Sequence, residues 1–126
     1  MDLYREQIID LAKNPLNRGE LANATVKFSG VNTTCGDYVR LYFKIEGKGE
    51  KARITDVGWQ GEGCVISVAA VSLLTEELKG KYVKEVEKIP QKKIFDLLGV
   101  ELGPARVKCG TLCLETAKQA MTSFLT

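Results

Sequence analysis

Apolar and polar positions change period several times along this chain, and each change marks an element. Leu3, Ile8, Leu11 and Ala12 share one helical face, so residues 2–13 predict a helix that Asn14-Pro15 stops. Residues 15–23 form a connection containing Arg18-Gly19, and residues 24–29 alternate like a strand. Alternation is clearest over 38–46: Val39, Leu41, Phe43 and Ile45 face one way, and Tyr38, Arg40, Tyr42, Lys44 and Glu46 the other. Gly47-Lys48-Gly49 is a turn signal, after which residues 52–60 return as a third strand ending in Gly61-Glu62-Gly63. The mixed apolar run over 64–79 is too long for a strand and predicts a largely buried helix closed by Gly80. Two short helices are expected, one over 83–88 and one opened by Pro90 and closed by Gly99. The last helix begins near Pro104 and runs to about Phe124. Helix, three antiparallel strands and a run of helices make an α+β fold: a three-stranded antiparallel sheet with helices packed on its apolar face.

Composition narrows the class. The chain has 126 residues, so one domain over 1–126 with one modest core is expected. An apolar fraction of 44% argues against disorder. The longest apolar stretch, residues 65–74, is too short to span a bilayer and is broken by Ser67 and Ser72. Met1-Asp2-Leu3-Tyr4-Arg5-Glu6 carries charges where a secretory signal needs an apolar segment, so a cytoplasmic location with reduced thiols is expected. A net charge of +2 without a compact basic run points away from nucleic-acid and membrane partners.

The chemistry rests on cysteine. There is no histidine, which removes the commonest nitrogen ligand and the commonest general base. Cys35, Cys64 and Cys109 each fall at a predicted junction or helix start. Cys35 precedes the second strand and Cys64 follows the third. Both therefore stand at the open end of one hairpin, on strands ~5 Å apart. Cys109 lies in the first turns of the last helix and joins them if that helix starts at the same end. A helix N-terminus beside Cys64 favours its thiolate, as Lys108 and Arg106 do for Cys109. Gly36, Gly61 and Gly63 suit loops in which backbone approaches a ligand closely. Thiolates select zinc, copper(I) and iron–sulfur clusters. The residues alone leave a shared metal site, a redox site, a disulfide and small buried cysteines open, since the close C-x-x-C pairs of a zinc ribbon are missing. Cys113 lies one helical turn after Cys109 on the same face and is expected in the core.

Four segments carry a resemblance: Asn14-Pro15-Leu16-Asn17-Arg18-Gly19, Thr34-Cys35-Gly36-Asp37, Gly63-Cys64-Val65-Ile66-Ser67 and Arg106-Val107-Lys108-Cys109. In order and spacing the chain resembles the U-type iron–sulfur cluster scaffolds: IscU, SufU and the N-terminal domain of NifU. The resemblance implies a scaffold and carrier rather than an enzyme. It would assemble a nascent 2Fe–2S cluster with sulfur from a cysteine desulfurase and pass it to apo iron–sulfur acceptor proteins. It makes Cys35, Cys64 and Cys109 the thiolate ligands. It makes Asp37 the aspartate near the cluster, able to serve as a fourth ligand and to keep the cluster labile. Cys109 is the first candidate to accept persulfide sulfur, with Cys35 second.

Lys108 departs from the IscU branch, which has histidine there. Its charge can stabilise an anionic cluster or persulfide from outside the ligand set. Arg-x-Lys-Cys resembles the SufU branch, some members of which bind Zn2+ and transfer sulfur. A zinc-dependent sulfurtransferase is therefore the second reading. The interval from Cys64 to Cys109 leaves little room for the insertion usual in SufU. Leu102-Gly103-Pro104-Ala105-Arg106 replaces the Leu-Pro-Pro-Val-Lys segment that docks a chaperone in the IscU branch. A homo-oligomer is compatible with the sequence.

Overall fold

The computed structural model describes residues 3–33 and 36–126, with Tyr4 described by its backbone alone. The elements run α1 (Leu3–Lys13), β1 (Val26–Asn32), β2 (Asp37–Glu46), β3 (Arg53–Glu62), α2 (Val65–Leu78), α3 (Val83–Glu87), α4 (Lys92–Leu98) and α5 (Pro104–Leu125). The strands form an antiparallel sheet in the order β1-β2-β3. Helices pack on one face: α5 against β1 and β2, and α2 against β3 and α5. This is the α+β architecture that the alternation predicts.

Period-2 patterning in β2 and β3 builds the core. Leu41, Phe43, Val57 and Trp59 point inward and are fully buried against Ala69, Ala70, Leu74, Leu114, Ala117 and Met121. Each large side chain removed from water in this way contributes ~1.5–3 kcal/mol. Small residues let the layers close. A Cβ on Gly30 of β1 would sit 2.1 Å from Thr116 Oγ1, so glycine there admits α5 to the sheet. The predicted helix stops hold: Gly99 caps α4 in the left-handed conformation at φ 76°, and Pro104 opens α5.

Two details differ from the sequence reading. β1 spans Val26–Asn32 rather than 24–29, because its register is set by pairing with β2, from Val26 opposite Phe43 to Asn32 opposite Asp37. Tyr42, read as facing solvent, is 3% exposed. Its hydroxyl bonds the Gln60 side chain, and Arg40 lies over its ring at 5.7 Å. It stands opposite Gly58, where a Cβ would meet Gly19 O at 2.6 Å and Leu21 Cγ at 3.2 Å. The connection after α1 therefore folds over this part of the outer face.

That connection also covers an edge. Gly19 N donates to Trp59 O at 2.7 Å and Trp59 N to Asn17 O at 3.1 Å. The Trp59 indole donates to Leu16 O at 2.7 Å, and Leu16 N donates to Ser72 Oγ at 3.2 Å. Asn17, at φ 61°, donates its side-chain amide to Thr75 Oγ1 at 3.1 Å. The backbone groups that β3 turns away from β2 are thereby paired near the site rather than left as an open edge. Among the described residues, no helix is long and apolar enough to cross a membrane.

Candidate metal centre

The hairpin register sets the site. Tyr38 pairs with Glu62, so Asp37 and Gly63-Cys64 leave the sheet side by side at its open end. The chain then turns directly into α2, with Cys64 as the N-cap residue. Gly103 and Pro104 start α5 so that Cys109, in its second turn, comes to the same place. One ligand atom from each of Asp37, Cys64 and Cys109 lies within 4.8 Å of the others. Two sulfurs and a carboxylate oxygen at that separation suit a thiophilic ion such as zinc or iron.

Exposure differs among the three. Cys64 is half-buried, whereas Asp37 is 4% and Cys109 3% exposed. An open depression lined by Gly36, Gly63, Ala105 and Arg106 leads to them. Behind them a cavity of about 20 Å³, with Ser67 and Trp59 in its wall, reaches Cys113. Cys64, Cys109 and Cys113 are not in disulfides. Cys35, the remaining sequence-predicted ligand, lies outside the described residues. Lys108 is exposed, and Arg106 rather than Lys108 lines the depression.

Cys64, in the open depression, and Cys113, behind it, differ in their protonation. Burial raises the Cys64 pKa, but hydrogen bonding at the helix start, led by the Ser67 amide, outweighs it, and the net shift is downward despite the nearby Asp37 carboxylate. Amides at a helix start stabilise a thiolate in this way. Cys113 is enclosed by the core, and burial pushes its pKa up to about 12. It is a neutral, packed thiol.

Ser67 closes the Gly63-Cys64-Val65-Ile66-Ser67 segment of the sequence, but the sequence assigned it no role. Its Oγ donates to Asp37 Oδ2 at 2.6 Å and lies 3.2 Å from the Cys109 carbonyl and 3.6 Å from Cys64 Sγ. One hydroxyl thus touches all three residues of the cluster. Gly63 makes room for it: a Cβ there would fall 2.8 Å from Ser67 Cβ and 3.1 Å from Asp37 Cγ. The available signal was a polar residue in the first turn of an otherwise apolar helix, three positions after Cys64.

The chain is similar to known proteins in sequence and in fold. A family model described as the NifU-like N terminal domain matches residues 3–126. The chain belongs to that family. This NifU-like N-terminal domain is 36% identical to the iron-sulfur cluster assembly scaffold protein IscU of Thermotoga maritima, over 94% of the chain and 92% of that protein. It is 38% identical to the zinc-dependent sulfurtransferase SufU of Bacillus subtilis, over 87% and 83% respectively. The crystal structure of a NifU-like protein (N-terminal) from Brucella abortus superimposes with a TM-score of 0.74 over 97% of this chain and 94% of that one. At 16% identity, that likeness concerns the fold alone.

Proposed function

We propose that this NifU-like domain is a scaffold on which a nascent 2Fe–2S cluster is assembled and from which it passes to apo acceptor proteins. The observation that carries this reading is the convergence of Asp37, Cys64 and Cys109 within 4.8 Å at the open end of the hairpin. Cys35 completes the thiolate set in this proposal. Iron and persulfide sulfur are the substrates of the process, an external two-electron reductant takes each sulfur to sulfide, and the protein supplies ligands and a sheltered place. Three thiolates hold the cluster. Asp37 supplies a harder oxygen ligand that binds soft iron–sulfur centres less firmly and eases release.

Sulfur would come from a cysteine desulfurase, in the reducing cytoplasm where thiols persist. An acceptor thiolate attacks the outer sulfur of the donor persulfide. A new S–S bond forms, and the donor cysteine leaves as thiolate. Cys109 is the first acceptor candidate and Cys35 the second. Cys109 is 3% exposed, and among the described residues the mouth beside Gly36 and Ala105 leads a donor cysteine to it. In this reading the donor protein docks at this end of the sheet, over α1 and its exit at residues 14–19, where an apolar groove lined by Ile8, Ile9, Val65, Ile66 and Arg106 supports it. Ile9 and Val65 are exposed there, close to Cys64.

A second reading is a zinc-dependent sulfurtransferase, favoured by Lys108 beside Cys109 and by the likeness to the Bacillus subtilis protein. In that case zinc is resident, held by the same cysteines and Asp37, and one cysteine leaves it to take the persulfide. Anaerobic reconstitution with iron, cysteine and a cysteine desulfurase separates the two, read by visible absorbance and Mössbauer spectra. The scaffold reading expects a cluster that an apo-ferredoxin then acquires. Persulfide on the protein with zinc retained and no cluster formed would favour the second.

A further inference from the structure

Ser67 stands out because its side chain serves no need of its own helix. A serine in the first turns of a helix commonly bonds a carbonyl of the preceding turn or caps the helix start. Here the hydroxyl reaches across to β2 and α5 instead, donating to Asp37 Oδ2 at 2.6 Å with the Cys109 carbonyl at 3.2 Å. It has one proton. The shorter contact, to a carboxylate, is the stronger acceptor, so the proton goes to Asp37. The Ser67 oxygen then stands 3.6 Å from Cys64 Sγ, as the neighbour of a second ligand.

We propose that Ser67 is the positioning residue of the centre, fixing the Asp37 carboxylate so that one oxygen is held by the hydroxyl while the carboxylate's remaining lone pairs face the metal. This inference rests on the reading of Asp37, Cys64 and Cys109 as ligands. A carboxylate has two oxygens and about four lone-pair sites. Without an anchor its end group rotates among several orientations, and a metal must supply the ordering. Hydrogen bonds to ligating groups typically account for roughly 10–100-fold in metal affinity. Three structural details concur. Gly63 leaves the space that the Ser67–Asp37 pair occupies. The pair is sheltered, with Asp37 4% exposed. The anchor joins β2 to α2 at the point where both carry a ligand, so it fixes their separation as well as the carboxylate's orientation.

The test is zinc affinity of the full chain, by competition with a chromophoric chelator, together with the cobalt(II) spectrum. Ser67→Ala is expected to weaken zinc about 10–100-fold and to shift the cobalt ligand-field bands, while the thiolate-to-cobalt bands stay. Ser67→Thr keeps the hydroxyl and is expected to bind as the parent does. In an Asp37→Ala background, adding Ser67→Ala is expected to change affinity less than about threefold, because the hydroxyl then has nothing to orient. Unchanged zinc affinity in Ser67→Ala would overturn the proposal. So would an equal loss in both backgrounds, or a Ser67→Thr protein as weak as Ser67→Ala. Failure of the parent chain to bind zinc or cobalt through thiolate would instead overturn the ligand reading beneath it.

Discussion

The β2–β3 hairpin has two ends built in opposite ways. At the closed end, Gly47 turns the chain at φ 91°, and the loop's backbone groups find backbone partners: Val83 N donates to Ala52 O at 2.9 Å, Ile54 N to Lys81 O at 2.9 Å and Gly80 N to Ile54 O at 2.8 Å. Ala52, Ile54 and Val83 are fully buried beside them. At the open end the contacts are made by one side chain: the Ser67 hydroxyl meets the Asp37 carboxylate, the Cys64 thiol and the Cys109 carbonyl. Two of the groups held there, thiol and carboxylate, belong to the cluster whose atoms are close enough to hold a metal ion. A backbone-paired end has its hydrogen-bonding capacity used up within the fold. A side-chain-paired end keeps ligand atoms close together with coordination capacity left over. The difference divides stability from function along one pair of strands.

The largest expected effect breaks the open end alone. Cys35→Ser, Cys64→Ser and Cys109→Ser should each abolish stable cluster loading, measured as bound iron and sulfide, with little change in the metal-free melting temperature. Cys113→Ser should largely keep loading, since Cys113 lies in the core. Loss of the cluster from a folded Cys113→Ser protein would show that the ligand set is wrongly drawn.

The reverse experiment breaks the closed end. Ile54 is fully buried beside the turn, so Ile54→Ala should cost about 2–5 kcal/mol in denaturant unfolding. Zinc affinity of the folded fraction should stay within about threefold of the parent. A proportional loss of affinity would mean that the two ends are coupled and the division fails.

A smaller effect is expected from Asp37→Ala. Three thiolates remain, so assembly should proceed, but transfer to an apo-ferredoxin should slow several-fold because the hard, exchangeable ligand is gone. Circular dichroism of the acceptor follows the transfer. An unchanged or faster rate would count against a labilising role.

Sheet and helix boundaries were legible because the chain writes them in period and in punctuation. Val39 to Ile45 alternate, Gly99 caps α4, and Pro104 opens α5. Convergence of Cys64 and Cys109 was legible for the same reason: a hairpin places one and a proline-started helix the other. Tyr42 was not, because what buries it is a connection 20-odd residues earlier, tied down through Trp59, Ser72 and Thr75. Polar residues in β1, with Gly30 among them, carry too weak an alternation to fix its ends, which pairing and the approach of α5 decide. Ser67 stood in a segment that carries the resemblance, but its role was not legible because nothing local tells a helix serine that its acceptor lies 30 positions back, on Asp37.

The smallest effects concern protonation. Iodoacetamide should alkylate Cys64 of the metal-free protein with a midpoint below the ordinary thiol value, and leave Cys113 untouched until unfolding. The Cys113 pKa is raised to about 12 in the fold, and an unfolded thiol titrates near ~8.5. Between those values the unfolded chain loses a proton that the folded chain keeps. The contribution is therefore complete below ~8.5 and declines as pH rises toward the folded value. Cys113→Ala should flatten the alkaline part of the stability profile. An unchanged slope would show that Cys113 is less enclosed than its packing indicates.

X-ray absorption at the zinc edge of the stoichiometrically loaded protein reads whether the open end is one centre of thiolates and a carboxylate. The account predicts a shell dominated by sulfur at ~2.3 Å with an oxygen at ~2.0–2.2 Å. It also predicts one sulfur fewer in Cys64→Ser and no oxygen from the protein in Asp37→Ala. A shell of oxygen and nitrogen alone, or one that neither substitution alters, would contradict it.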